Sequence, residues 1–153
     1  MAKSRDKIRL NEAEIAALFA ECKSLQVATL GPQGAPHLTT LWFTTHQGEV
    51  LFETYGKSQK VVNLRRDPRI AVLCEAGETY DKLRGVSING RAEIVDSGER
   101  LLALMQLLVE SNHPGLGAER AAAQAAQMAE KRVVVVVHAD KVVSWDHRKL
   151  GMS

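Results

Sequence analysis

The chain has little of several features that usually announce a function. Two cysteines, Cys22 and Cys74, occur in 153 residues. With no CxxC or Cys/His spacing they make neither a disulfide framework nor a metal site, and each lies in an apolar periodic segment, as a reduced core residue would. Four prolines and 5% aromatic residues, without low-complexity tracts or repeats, exclude collagen-like, coiled-coil and disordered classes. Unbroken apolar stretches such as Val133–Val137 fall far short of the ~20 residues that cross a bilayer. Residues 1–10 (MAKSRDKIRL) alternate charge and lack the apolar stretch of a secretory signal, which implies a cytoplasmic protein. G-x-S-x-G, GxGxxG, Walker A and HExxH patterns are all missing, so hydrolase triads, Rossmann binding, P-loop and zincin chemistry have no support.

What is present describes one ordinary domain spanning 1–153. The chain is 45% hydrophobic and 25% charged, and this length buries about two-thirds of its unfolded surface without staples. The formal net charge of +2 conceals an asymmetry. Residues 1–9 carry net +3, residues 57–69 net +4 and residues 141–149 net +2, which leaves −7 for the rest. Localised positive charge points to an anionic partner. Near-neutral total charge and few stacking aromatics exclude nucleic acid.

Along the chain, Asn11 and Glu14 form a capping box before the stripe Ile15, Leu18, Phe19 and Cys22, with Leu10 placed to staple against Ile15. From Leu25 the period becomes two. Strands are expected at 25–30, 37–45, 50–55, 69–75, 85–95 and 133–137, with 142–145 as an extended tail. Strand 37–45 is apolar on both faces, so one face is expected in a core and the other against a partner or ligand. Gly90 within 85–95 marks a bulge or a close backbone approach. Helices are expected from Ser58 to Arg66, from Asp96 with Glu99 as its capping pair, and from 118 to Lys131 after a linker at 111–117. The fold expected is mainly β with peripheral helices (α+β), a six-stranded antiparallel barrel.

Three segments could carry chemistry. Lys57 and Lys60 flank a helix start, where the macrodipole disfavours cations unless an anion sits there. With the Ser58 hydroxyl and free N–H groups they form a phosphate cradle, or else a solvated basic helix end. Trp42 among Thr39, Thr40 and Thr44 is either a core residue or a stacking surface for a heterocycle with hydroxyls at its edge. Trp145 to Lys149 places an aromatic, an acid, an imidazole and two bases after a strand, a docked tail in which His147 reads as satisfied or solvated.

In order, LQVATLGPQGAPHLTTLWF, Lys57-Ser58-x-Lys60 followed by Asn63 to Arg69, YDKLRGVSINGRAEIV and VVSWDHRKLG resemble the pyridoxamine 5′-phosphate oxidase-like split β-barrel flavoproteins. The likeness covers roughly 10–151 and is to the branch that uses the deazaflavin coenzyme F420. It implies a homodimer with cofactor sites at the subunit interface. Thr39, Thr40 and Trp42 would line the ring, Thr54, Lys57, Ser58 and Lys60 would bind phosphate, and Tyr80, Trp145 and Arg148 would close the site. The implied cofactor is F420, with FMN as the alternative. Residues Lys3, Arg5, Lys7 and Arg9, or Arg65 and Arg66, are the cations available for an acidic cofactor tail. The implied activity is hydride transfer to a small organic substrate with no side chain as acid or base. The alternative is a non-catalytic carrier of flavin, F420 or heme.

Overall fold

A computed structural model describes residues 3–151. A short helix α1 (Ser4–Lys7) and helix α2 (Glu12–Glu21) precede strands β1 (Ser24–Leu30), β2 (Pro36–Trp42), β3 (Thr44–His46) and β4 (Glu49–Tyr55). Helix α3 (Gln59–Arg66), β5 (Arg69–Ala76), a 3₁₀ turn (Tyr80–Lys82) and β6 (Arg84–Val95) follow. The helical pair α4 (Gly98–Asn112) and α5 (Ala118–Ala129) leads to β7 (Arg132–Asp146) and a last 3₁₀ turn (His147–Leu150).

The seven strands form one antiparallel sheet in the order β2-β1-β5-β6-β7-β4-β3. It curls so that β2 approaches β4 without pairing with it. The expected strand 37–45 is two strands, which is why the count is seven rather than six. Phe43 breaks it: Pro36–Trp42 pairs with β1, Thr44–His46 pairs with β4, and Phe43 turns inward between them to meet Phe19 edge-on at 5.9 Å. One chain segment thus joins the two flanks of the barrel.

The interior is filled by Leu25, Val27, Phe52, Val72, Cys74, Val86, Ile88, Val135 and Val137, with Leu18 of α2 and Leu64 of α3. A second cluster lies outside the sheet, where α4 and α5 cover Leu51, Val134 and Val136. Val133–Val137 is therefore buried on both faces, as its unbroken apolar run requires.

Strand β7 is continuous over 15 residues, so the expected tail 142–145 is its second half. Its ladder with β6 shifts register at Gly90, where Asp140 is the extra residue and a Cβ would run into the His138 carbonyl. The Asn11–Glu14 capping box forms in full. The one expected at Asp96 does not: α4 starts at Gly98 behind Ser97, and Asp96 instead takes Arg65 at 3.3 Å. Helix α4 also runs into the expected linker as far as Asn112, and the last helix stops at Ala129, short of the expected Lys131.

Candidate functional site

The turn from β4 into α3 brings the expected phosphate residues together. The Lys60 Nζ donates to the Thr54 hydroxyl at 3.2 Å, and that hydroxyl reaches Ser58 Oγ at 3.4 Å. Ser58 occupies the N-cap of α3, yet its hydroxyl makes no capping bond, contrary to expectation. The first-turn N–H groups are thus left without side-chain acceptors. Lys57 is exposed beside them. Burial holds the Lys60 ammonium below its ordinary pKa, opposed by the nearby Glu53 carboxylate. A partly desolvated ammonium gains more from an anion than a solvated one does.

Lys131 and Arg132, distant in sequence, also belong to this corner. The Gly56 N–H donates to the Lys131 carbonyl at 2.9 Å, which sets exposed Lys131 against the same turn. Arg132 grips Glu53 at 3.0 and 2.9 Å, donates to Tyr55 Oη at 3.0 Å and lies 4.2 Å from the Tyr55 ring centroid. Asn63 is fully buried, donates to Thr29 Oγ1 on β1 at 3.0 Å and accepts from Gln59 and Arg66, which pins α3 to the barrel wall. A buried asparagine inside an amphipathic helix is the signal that could have found it, because such a group must have partners.

Strand β2 divides its residues between two faces. Thr39 pairs with Val27 and shares the interior face, where its Oγ1 is buried without a hydrogen-bond partner. Thr40 and Trp42 share the opposite face with Leu38. Trp42 is 49% exposed, so the core alternative for it fails; the Lys23 ammonium sits 5.5 Å from its ring centroid. Next to it a recess of about 240 Å³ is lined by Glu53, Leu108, His113, Gln124 and Met128.

Tyr80, Trp145 and Arg148 gather at the far end of the molecule from the cradle. Trp145 lies against Gly85, where any Cβ would overlap its ring. Arg148 is bound to Asp146 at 2.9 and 2.8 Å, and its guanidinium holds that buried carboxyl below the usual carboxylate range. Tyr80 is exposed, with its ring 4.6 Å from that of His147, whose Nδ1 meets the Tyr80 carbonyl at 2.7 Å. Thr54 pairs with Val133 and Gly85 with Trp145, so the two groups stand twelve residues apart on β7, about 40 Å along the strand at ~3.3 Å per residue. One chain does not bring them together.

The sequence profile of the pyridoxamine 5′-phosphate oxidase family matches residues 12–146. The chain belongs to that family. Among solved structures, the conserved hypothetical protein Rv2991 from Mycobacterium tuberculosis is 45% identical, with a TM-score of 0.91 over 99% of this chain and 94% of that one. An F420 reductase is 22% identical, with a TM-score of 0.60 over 82% of this chain and 93% of its own. HutZ, the heme storage protein from Vibrio cholerae, is 17% identical, with a TM-score of 0.67 over 87% and 94%. These last two likenesses are of fold alone. No curated protein matches the sequence. Among the described residues no helix is long and apolar enough to cross a membrane, and no group of three or more His, Cys, Asp or Glu side chains is placed to hold a metal ion.

Proposed function

We propose that the protein is a homodimeric oxidoreductase that holds a tricyclic flavin-type cofactor, coenzyme F420 with FMN as the alternative, and transfers a hydride between it and a small organic substrate. The observation that carries this reading is the β4–α3 cradle: Thr54, Ser58 and Lys60 in one hydrogen-bonded group, Lys57 beside them, and an uncapped helix start. An ordinary solvated helix end would not half-bury a lysine against a threonine hydroxyl. A second observation supports the fit, because the buried Thr39 hydroxyl has no hydrogen-bond partner among the described residues and is free to meet a polar group of the cofactor. When bound, the cofactor supplies the hydride chemistry; the chain's residues bind its phosphate, orient it and limit water access. Thr40 and Trp42 offer an exposed aromatic and hydroxyl surface for the ring or the substrate.

The separation along β7 supports the dimeric reading. Tyr80, Trp145 and Arg148 can close a pocket over Lys57 and Lys60 only if a second copy supplies them. The carrier alternative uses the same residues and is separated by turnover. The test is titration of the purified chain with F420 and with FMN, alongside Lys57→Ala/Lys60→Ala. Removing two charge-assisted contacts of ~1.5 kcal/mol or more each predicts at least ~100-fold weaker binding with an unchanged melting temperature. Unaltered affinity refutes the cradle. Turnover of the reduced cofactor with enone or quinone acceptors supports the enzyme, and tight binding with no turnover supports the carrier.

A further inference from the structure

We infer that a second anion site lies on the N-terminal arm, separate from the phosphate cradle, and that it takes a small polyanion, an oligocarboxylate or a polyphosphate. Two of the three basic segments of the sequence converge there. Lys3, Arg5 and Arg9 from the arm and Lys141 from β7 line a recess of about 560 Å³ whose floor is Val143 and Ser144. Among the described residues that line it, Asp6 is the only carboxylate, and it is held by Arg9 at 3.0 Å. Asp140, next to Lys141, is turned to Arg91 at 3.7 Å. Lys3, Arg5 and Lys141 make no ion pair among the described residues.

The arm is not placed by those charges. The Asp146 N–H donates to the Ile8 carbonyl at 2.7 Å, the Leu10 N–H to Ser144 Oγ at 3.0 Å, and Lys149 Nζ to the Arg9 carbonyl at 2.7 Å. These three bonds, one of them backbone to backbone and two with a side chain as partner, hold the arm against β7 and so keep cations of one sign around one recess, against their mutual repulsion. A ligand bearing several negative charges removes that repulsion and gains from each cation, whereas a single carboxylate does not span them. Along the same strand, Val143 is two residues from Trp145, so the recess adjoins the group that would close a partner's cofactor site. The polyanion is then either the acidic tail of a cofactor or a separate ligand.

The experiment is calorimetric titration of the full chain with inorganic tripolyphosphate, in the wild type, in Arg5→Ala/Lys141→Ala and in Lys57→Ala/Lys60→Ala. Expected are saturable binding by the wild type, at least tenfold weaker binding by the arm variant, and a steep loss of affinity as salt rises. Wild-type affinity in the arm variant, loss only in the cradle variant, or no saturable binding by the wild type overturns the inference. A second arm compares F420 bearing an oligoglutamate tail with the tail-free form. If the arm variant weakens only the tailed form, the recess receives the tail. If it weakens neither form yet still loses tripolyphosphate, the ligand is separate. This result does not depend on the cofactor reading, because failure to bind either tricycle would leave the tripolyphosphate titration readable.

Discussion

The two halves of β7 obey the same alternation and have different surroundings. In the first half, Val133, Val135 and Val137 share the barrel-interior face, Val134 and Val136 are covered by α4 and α5, and all five are buried. Beyond the Asp140 bulge α4 and α5 no longer cover the strand; the N-terminal arm buries Ser144 and Asp146 there instead. Val142 is 48% exposed, Val143 and Trp145 are only half-buried, and Leu38, across the same sheet on β2, is 69% exposed. The first half lies by the proposed phosphate cradle and the second ends at Trp145 and Arg148. A face covered by the chain's own helices stabilises the fold, while an apolar face left open beside functional side chains is one that another surface can complete.

The contrast can be broken at its strongest point first. Leu108→Ala under the helical cover should cost about 3 kcal/mol of unfolding free energy in denaturant; a cost below ~1 kcal/mol would mean that the helices only rest on the sheet. Asn63→Ala should cost about 2 kcal/mol, since Thr29 and Gln59 lose a buried partner, and should also weaken cofactor binding because α3 is no longer pinned. Leu38→Asp on the open face should change monomer stability by under ~0.5 kcal/mol but raise the dimer dissociation constant by a large factor in sedimentation equilibrium. An unchanged mass distribution would show that this face is not the interface.

The smallest effect expected is electrostatic. His138 bridges Glu49 at 2.5 Å and Glu93 at 2.9 Å, and Glu93 is also held by Arg100. The Glu93 carboxylate first, then that of Glu49, raises the imidazole above its usual 6.5. Its stabilising contribution is therefore complete below pH 6.5 and lost as pH rises through the raised value. Glu93 is pulled down to about 2, by Arg100 first and His138 second, so its own share persists above the usual carboxylate range and is lost only as pH falls towards 2. The side chains are partly exposed, so the stability gap between wild type and His138→Gln should stay under ~1 kcal/mol. It should be largest near pH 6 and shrink above it in urea titrations; a gap constant from pH 5 to 9 would break the assignment.

Legibility in the sequence tracked how local the cause was. Asn11 and Glu14 make their capping box because three residues of spacing suffice, and the Val133–Val137 run is buried on both faces because it offers no polar one. Gly90 marked its bulge, since a Cβ there has no room. Phe43 was missed as a strand break because a buried phenylalanine fits alternation on either side; only the closing of the barrel makes it turn. Asp96 had capping spacing but is drawn off by Arg65, 31 residues away. Of the site, the cradle was legible as cations at a helix start. The place of Lys131 beside it was not, because that depends on β4 pairing with β7.

By itself, the sequence determined the family, the antiparallel β architecture with peripheral helices, and three islands of positive charge. Periodicity, caps and net charge are properties of neighbours along the chain, and they survive without a fold. Tertiary structure decided which islands meet: residues 3–9 with Lys141 in one recess, Lys57 and Lys60 with Lys131 at the β4–α3 turn, and Trp145 twelve residues along β7 from the residue paired with Thr54. Strand register and the curl of the sheet set those distances, and they arise from pairings between residues that are 77 to 87 apart in sequence on β4 and β7.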